Sequence, residues 1–231
     1  MAFDPSKYTV AKAKPLPVIL LLDRSGSMSG EKISTLNSAV NEMIQSFKTA
    51  GQGEVEINLG IISFGDGGAS YDLQLQPVAG ISNMSLQANG GTPMGMALRM
   101  AKDLIEDKEI IPSKGYRPAV VLVSDGEPND DWEQPMNNFI GGGRSSKCER
   151  FAMAIGTSQE DPVLNKFLSG TENKVFLASD ASKIRDFFKF VTMSVSVRSR
   201  SQNPNALLPA ANNPTSMTAI EDMAKEFGID L

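Results

Sequence analysis

The stretch Val18-Ile-Leu-Leu-Leu-Asp-Arg-Ser-Gly-Ser27 decides the fold class of this chain. Its first five residues are a continuous apolar run, which is typical of a parallel strand that helices cover on both faces. Asp23 ends the run, and a polar loop over Arg24–Gly30 leads to apolar residues spaced three, four and seven apart between Ile33 and Phe47. Because that spacing forms one face of a helix, the stretch predicts a buried strand, a polar loop and an amphipathic helix.

Strands and helices continue to alternate along the chain. Val55–Phe64 predicts a second strand, and the strictly alternating Tyr71–Gln76 follows a glycine-rich turn, which favours an antiparallel hairpin. Further strands are predicted over residues 117–123, 149–155 and 174–177, and further helices over 97–105, 132–139, 162–168 and 184–195. This order predicts a doubly wound α/β fold: a mostly parallel six-stranded sheet with one antiparallel edge strand and helices on both faces.

The composition divides the chain into one domain and two flanking segments. We expect a single α/β domain over residues 16–197, preceded by an N-terminal arm over residues 1–15. From residue 198 the chain becomes rich in Ser, Asn, Pro and Ala, which is typical of a linker or an extended tail over residues 198–231. Apolar spacing between Met217 and Leu231 is compatible with a short helix that needs a docking surface.

Composition also excludes several kinds of chemistry. The 231 residues include no histidine and one cysteine, Cys148, so His-based catalysis, His-ligated zinc and multi-cysteine metal sites are excluded. A net charge of −5 and a pI near 4.9 argue against nucleic-acid binding. The longest strongly apolar run is far too short to span a membrane, and the first residues lack the apolar run of a signal peptide. We therefore expect a cytoplasmic protein with a reduced, buried thiol.

Three polar loops lie at the ends of predicted elements. They contain Asp23, Ser25 and Ser27 after the first strand, Thr92 before a helix, and Asp125 after the apolar strand over residues 117–123. In an open α/β sheet, ligands bind at the carboxyl ends of the strands, so we expect these side chains to converge. Carboxylates and hydroxyls suit Mg²⁺, Mn²⁺ or Ca²⁺, and they do not suit zinc or copper. Alone, each loop is also compatible with a turn or a helix cap, whereas the combination predicts the metal site.

These residues resemble the metal-ion-dependent adhesion site of von Willebrand factor type A domains. The pattern is Asp23-x-Ser25-x-Ser27, Thr92 and Asp125, and the resemblance covers about residues 15–197. It implies Mg²⁺ bound directly by the three hydroxyls, with the two carboxylates acting through water or directly, and a partner protein whose acidic residue completes the coordination. The amino-acid sequence around the motifs is similar to that of the bacterial TerY/YegL-like branch, which is associated with tellurium-resistance and stress operons. That branch implies a protein kinase or a PP2C-type phosphatase from the same operon as partner.

Two features beside the motif leave alternatives open. Arg24 either points toward the metal rim, where it would pair with the partner's acid, or forms a local contact. The loop over residues 125–133 holds five acidic residues and no basic one, so it is either a solvated loop or a rim that selects a basic partner surface. Trp132, in this loop, is expected to pack on the core, with an exposed partner contact as the alternative.

Three functions are compatible with these sequence features. The first is a non-enzymatic, metal-dependent protein–protein interaction module that acts as a scaffold in a bacterial stress, tellurium-resistance or defence system. The second is a Mg²⁺-dependent phosphoryl-transfer enzyme with Asp23 as nucleophile, although such enzymes of the haloacid-dehalogenase type carry a second Asp two residues on, where this chain has Ser25. The third is self-association, in which a tail acid such as Glu226 or Asp230 occupies a neighbour's metal site.

Overall fold

The computed structural model describes residues 14–50, 55–156 and 161–201, together with Asn203 and Asn205. Six strands form one sheet: β1 Lys14–Asp23, β2 Val55–Gly65, β3 Gly68–Pro77, β4 Ala119–Ser124, β5 Glu149–Ile155 and β6 Phe176–Ala178. Their order is β3-β2-β1-β4-β5-β6. Among these six described strands, only the edge strand β3 is antiparallel, and it forms a hairpin with β2. The predicted sheet is therefore confirmed, including its antiparallel edge.

In the part of the chain that the structure describes, five α-helices cover both faces of the sheet. They are α1 Glu31–Ala50, α2 Met94–Glu106, α3 Glu133–Gly141, α4 Pro162–Phe167 and α5 Ala181–Arg200. Because side chains alternate along a strand, Leu20 packs in the core under α1 and α5, whereas Leu21 packs in the core under α2, α3 and α4. The continuous apolar run of β1 is explained by this burial on both faces.

The order of the strands places a switch point between β1 and β4. After β1 the chain forms β2 on one side of β1, and it later returns to form β4 on the other side of β1. The carboxyl ends of these two parallel strands lie side by side, since Leu22 is in register with Val123. One residue further on, Asp23 and Ser124 become neighbours. Ligand sites of doubly wound sheets form at this position.

The single cysteine, Cys148, is buried, as the sequence led us to expect. Burial raises the pKa of its thiol to about 12. At neutral pH it is therefore a thiol, which is unreactive compared with a thiolate. Among the described residues, no helix is both long enough and apolar enough to cross a membrane.

The predicted N-terminal arm and tail fall mostly beyond the described residues. Residues 1–13 and 206–231 are outside them, including the predicted helix near Met217 and the acidic residues Glu226 and Asp230. At the two ends of the described domain, β1 begins at Lys14 and α5 ends at Arg200.

Candidate metal centre

Asp23 is the innermost residue of the candidate site. It has no exposed surface, and its carboxylate accepts hydrogen bonds from the backbone N–H of Ser25 (2.8 Å) and the hydroxyl of Ser124 (2.5 Å). Burial raises the pKa of the Asp23 carboxyl above its ordinary value, and the hydrogen bonds from Ser124 and Ser25 oppose that rise. Within the described residues, Asp23 forms no ion pair. A buried carboxylate with only neutral donors is a suitable neighbour for a cation.

Ser25, Ser27 and Asp125 form a connected row of oxygen atoms. The hydroxyls of Ser25 and Ser27 are 3.0 Å apart, and the Ser27 hydroxyl donates to Asp125 Oδ1 at 2.7 Å. Both serines lie on the polar loop after β1, residues 24–30 (the serine loop), which contains a short 3-10 helix over Gly26–Met28. The structure therefore brings three of the predicted ligands into one connected row, although Asp125 is 98 residues from Ser27 in sequence.

Thr92 lies on a loop whose backbone contacts the serine loop. The N–H of Gly26 donates to the carbonyl of Gly90 at 2.8 Å, which ties the serine loop to the chain before α2. Asn129 then holds Thr92 from the other side: its Oδ1 accepts from Thr92 N at 3.0 Å, and its own N–H donates to the Thr92 carbonyl at 3.1 Å. Gly91 permits this approach, because a Cβ at that position would lie only 2.0 Å from the Asn129 side chain.

Asp130 fixes the start of α2 from the loop after β4. Its carboxylate accepts hydrogen bonds from the backbone N–H groups of Gly95 and Met96, both at 2.9 Å. These are among the N–H groups that the first turn of a helix leaves without a partner inside the helix. Asp130 therefore serves as an N-cap from a distant segment and positions the helix that follows Thr92.

Asp130→Ala is expected to lower the free energy of unfolding by about 1–2 kcal/mol, because two N–H groups at the start of α2 lose their acceptor. Urea unfolding followed by circular dichroism measures this loss. Asp131→Ala is the matched control: its exposed neighbouring carboxylate should change the stability by less than about 0.5 kcal/mol. Equal losses in the two variants would contradict the capping role of Asp130.

Arg24 adopts the local arrangement of the two alternatives. Its Nε donates to the Ser63 hydroxyl at 2.9 Å, and its terminal nitrogen donates to the carbonyl of Asp66 at 3.2 Å. Both partners belong to the β2–β3 hairpin. The guanidinium therefore fastens the serine loop to this hairpin.

The acidic loop combines structural and exposed residues. Asp125 and Asp130 have the internal partners described above, whereas Glu127, Asp131 and Glu133 are exposed. Trp132 is half-buried against the core under α2, α3 and α4, and the Lys166 ammonium lies 5.3 Å from its ring centroid. The expected packing of Trp132 on the core is thus observed, and three carboxylates are left to face solvent beside the candidate site.

The donor set fits a hard divalent cation. Neighbouring ligands of an octahedral Mg²⁺ with bonds of about 2.1 Å lie about 3.0 Å apart. The Ser25 and Ser27 hydroxyls have this separation. Among the residues that the structure describes, no three His, Cys, Asp or Glu side chains come together as a metal site. A cation here therefore depends on hydroxyl ligands supported by the Asp23 and Asp125 carboxylates.

The Nζ of Lys32 lies 2.5 Å from Asp125 Oδ2, so Lys32 also belongs to the site. Four residues of the site are not among the predicted ligands: Lys32, Ser124, Asn129 and Asp130. Ser124 was detectable in principle, because it directly follows the apolar run of β4 and would neighbour Asp23 once β1 and β4 are paired. Lys32 is one of many charged residues on the polar face of a helix, so nothing in the sequence distinguishes it. Asn129 and Asp130 resemble ordinary turn residues in a polar loop.

Known proteins match about three quarters of this chain in sequence. The chain is 26% identical over 196 residues to inter-alpha-trypsin inhibitor heavy chain H4 of Bos taurus, a match covering 77% of this chain and 20% of that protein. The Homo sapiens protein is 25% identical over 194 residues, again covering 77% of this chain and 20% of the relative. The chain therefore spans about a fifth of the length of these relatives.

Solved structures share the fold at low sequence identity. The vWF domain of the type V pili tip protein Mfa5 from Porphyromonas gingivalis has a TM-score of 0.59 at 13% identity, covering 84% of this chain and 99% of that one. The pilus adhesin SpaC from Lactobacillus rhamnosus GG has a TM-score of 0.61 at 18% identity, covering 80% and 30%. A von Willebrand factor type A structure from Catenulispora acidiphila has a TM-score of 0.57 at 21% identity, covering 78% and 42%.

The family assignment rests on the sequence. The sequence model of the von Willebrand factor type A domain matches residues 18–190, which include all five predicted ligands and all of the sheet except residues 14–17 at the start of β1. The six-stranded sheet and its solved neighbours agree with this match. The chain therefore belongs to the von Willebrand factor type A domain family, whose members are in general protein-interaction and adhesion modules.

Proposed function

We propose that this chain is a metal-dependent protein–protein interaction module. The observation that carries the proposal is the row of Ser25, Ser27 and Asp125 oxygens beside the buried carboxylate of Asp23. This row lies at the switch point of the sheet, where doubly wound folds bind their ligands. The family's general role in protein interaction supports the same function.

In this proposal each predicted ligand has a role toward Mg²⁺, with Mn²⁺ or Ca²⁺ as alternative ions. The hydroxyls of Ser25, Ser27 and Thr92 would hold the ion, and the carboxylates of Asp23 and Asp125 would support it directly or through water. When bound, the ion supplies an electrophilic position that an external carboxylate can fill. The chain itself supplies few formal charges directly to the ion, which keeps that position attractive to an anion.

The exposed rim determines which partner fits this position. Glu127, Asp131 and Glu133 are exposed on the loop and the helix start beside the site. A partner therefore needs an acidic residue for the ion and basic residues around it for the rim. Opposite charges of this kind mainly raise the association rate and the specificity.

We also propose a biological setting for this module. The sequence around the motifs favours a cytoplasmic scaffold in a bacterial stress, tellurium-resistance or defence system. Its partner there would be a protein kinase or a PP2C-type phosphatase of the same operon. This assignment stays a prediction from sequence resemblance, and so does the absence of nucleic-acid and membrane partners.

The proposal is for a binding module and not for an enzyme. An aspartate nucleophile needs a free oxygen that can reach a substrate. Asp23 is fully buried, and each of its two oxygens accepts a hydrogen bond, from Ser25 N and from Ser124 Oγ. This arrangement supports a binding role for Asp23. Self-association through the tail remains a separate prediction, since the tail acids lie outside the described residues.

Capture of the candidate kinase or phosphatase by the immobilised protein tests the proposal. Capture is expected in Mg²⁺ and is expected to be lost in EDTA, because the partner's carboxylate then has no ion to bind. Ser27→Ala should lower capture in Mg²⁺ to the EDTA level. Ser29→Ala, an equally exposed serine two residues on, should behave as the unchanged protein. Equal capture with Mg²⁺ and with EDTA would refute metal-dependent recognition.

A further inference from the structure

Lys32 forms an ion pair with one of the proposed metal-site carboxylates. It lies in the first turn of α1, and its Nζ is 2.5 Å from Asp125 Oδ2. The other oxygen, Oδ1, accepts the Ser27 hydroxyl at 2.7 Å. The Asp125 side chain has no exposed surface, whereas that of Lys32 is 34% exposed. Both oxygens of this buried carboxylate are therefore engaged by neighbouring groups of the chain.

The end of β5 makes room for the Lys32 side chain. A Cβ at Gly156 would lie 3.0 Å from Lys32 Nζ and 3.1 Å from its Cε, so the ammonium end rests closely on this glycine. Gly156 has a φ of +75°, and its N–H donates to the Ala178 carbonyl at 2.7 Å, which holds it beside β6. The ammonium is therefore placed between Asp125 and the β5 terminus, unlike a surface lysine that faces only solvent.

Lys32 changes the charge that a metal ion meets. The carboxylates of Asp23 and Asp125 together carry two negative charges, and the Lys32 ammonium reduces the sum to one. A divalent ion is attracted less by one net negative charge than by two. After the ion is bound, the same ammonium leaves the site with a net positive charge, whereas without it the site would be neutral. An incoming carboxylate gains from that positive charge.

We propose that Lys32 is a positioning residue that sets the charge of the site through Asp125. It weakens binding of the divalent ion and strengthens binding of an external carboxylate to the loaded site. The ion is then held most firmly when the partner's acid is present, which couples the metal to partner binding. This inference rests on the proposed metal-dependent function.

Mn²⁺ titration of Lys32→Gln, followed by calorimetry, tests the first half of the inference. Its affinity for Mn²⁺ is expected to rise about tenfold, which corresponds to about 1.4 kcal/mol. Lys32→Arg keeps the positive charge and should stay within about twofold of the unchanged protein. Lys48→Gln removes a positive charge near the other end of α1, about 24 Å away, and should leave the affinity unchanged.

Acetate titration of the Mn²⁺-loaded proteins tests the second half. Acetate is the simplest carboxylate probe, and water-proton relaxation reports when it displaces water from the bound Mn²⁺. Lys32→Gln should bind acetate several-fold more weakly than the unchanged protein, although it binds Mn²⁺ more tightly. A merely structural role for Lys32 would not move the two affinities in opposite directions.

The outcomes separate the two levels of the proposal. If the unchanged protein binds Mn²⁺ and Lys32→Gln binds it with the same affinity, the role of Lys32 is overturned and the metal site stands. The role of Lys32 would also be overturned if Lys32→Arg gained as much Mn²⁺ affinity as Lys32→Gln, because the gain would then not come from the loss of charge. If Lys32→Gln binds Mn²⁺ where the unchanged protein does not, the inference is supported. If neither protein binds Mn²⁺, both the metal site and the inference are refuted.

Discussion

Asp23→Asn is expected to lower the affinity for Mg²⁺ about 100-fold, because it removes a negative charge beside the ion. The fold is expected to stay intact. The amide keeps the geometry of the carboxylate. Its oxygen can accept from Ser25 N, and its NH₂ group can donate to Ser124 Oγ. The Ser124 hydroxyl then donates to the Gly126 carbonyl, which lies 3.1 Å away.

The same substitution should separate stability from function. Burial raises the pKa of the Asp23 carboxyl, which means that its charged form is costly in the metal-free protein. We therefore expect metal-free Asp23→Asn to be at least as stable as the unchanged protein. Thermal unfolding with and without Mg²⁺ measures both effects: Mg²⁺ should raise the melting temperature of the unchanged protein and leave that of the variant where it is.

Asp131→Asn is the matched control for this experiment. It removes the charge of an exposed aspartate on the rim and should keep the stabilisation by Mg²⁺. If Asp23→Asn is stabilised by Mg²⁺ as strongly as this control, Asp23 has no part in binding the ion.

Arg198→Met is expected to lower the free energy of unfolding by about 3–5 kcal/mol at pH 8, because it leaves a buried carboxylate without its cation. Arg198 lies near the end of α5, and its guanidinium contacts Glu149 Oε2 at 2.5 Å and donates to the Arg117 carbonyl at 2.7 Å. The side chains of Arg198 and Glu149 are only 2% and 8% exposed. The pair therefore joins the last helix to the first residue of β5 at the sheet end opposite the candidate site.

The loss should depend on pH in a defined direction. Burial already raises the pKa of Glu149 above its ordinary value, and the charges of Arg198 and Arg117 oppose this rise. Without Arg198 the pKa of Glu149 in the folded variant rises further, whereas in the unfolded chain it remains ordinary. A raised pKa in the folded state means that stability is lost as the pH rises through it. The deficit of Arg198→Met is thus expected to be smaller at pH 5 than at pH 8.

Two comparisons, made by urea unfolding, check the assignment. Arg198→Met combined with Glu149→Gln should be more stable than Arg198→Met alone, since no unpaired charge remains buried. Lys183→Met breaks the exposed pair with Asp186, whose side chains are 49% and 55% exposed, and should cost less than about 1 kcal/mol. A loss in Arg198→Met no larger than that in Lys183→Met would contradict the role of the buried pair.

Much of the fold was predictable because its strands differ from its helices in apolar pattern. The run over Val18–Leu22 needs cover on two faces, which only a central strand of an α/β sheet obtains. The alternation of Tyr71–Gln76 requires one exposed face, and the structure places it on the edge strand β3. Exact boundaries were less predictable: the strand expected over residues 117–123 is Ala119–Ser124. Local apolarity does not determine where hydrogen bonding between strands ends.

The candidate site was predictable at the level of residue type and place. Asp23, Ser25, Ser27, Thr92 and Asp125 follow or precede elements whose ends meet at the switch point, so their convergence could be expected. Their supporting contacts could not. Ser124 meets Asp23 across 101 residues, and Lys32 meets Asp125 across 93. Such pairs depend on the register of β1 with β4 and on the position of α1 over the sheet, which no short stretch encodes.

The sequence by itself determined the fold class, the kind of ligand atoms available and the exclusion of histidine and multi-cysteine chemistry, because these follow from residue type and spacing along one segment. Only the tertiary structure decided which way Arg24 points, which acids of the loop over residues 125–133 remain exposed, and that Lys32 pairs with Asp125. Each of those outcomes depends on two segments meeting in space. The burial, charge and hydrogen bonding of such a contact are therefore determined only once both segments have packed together.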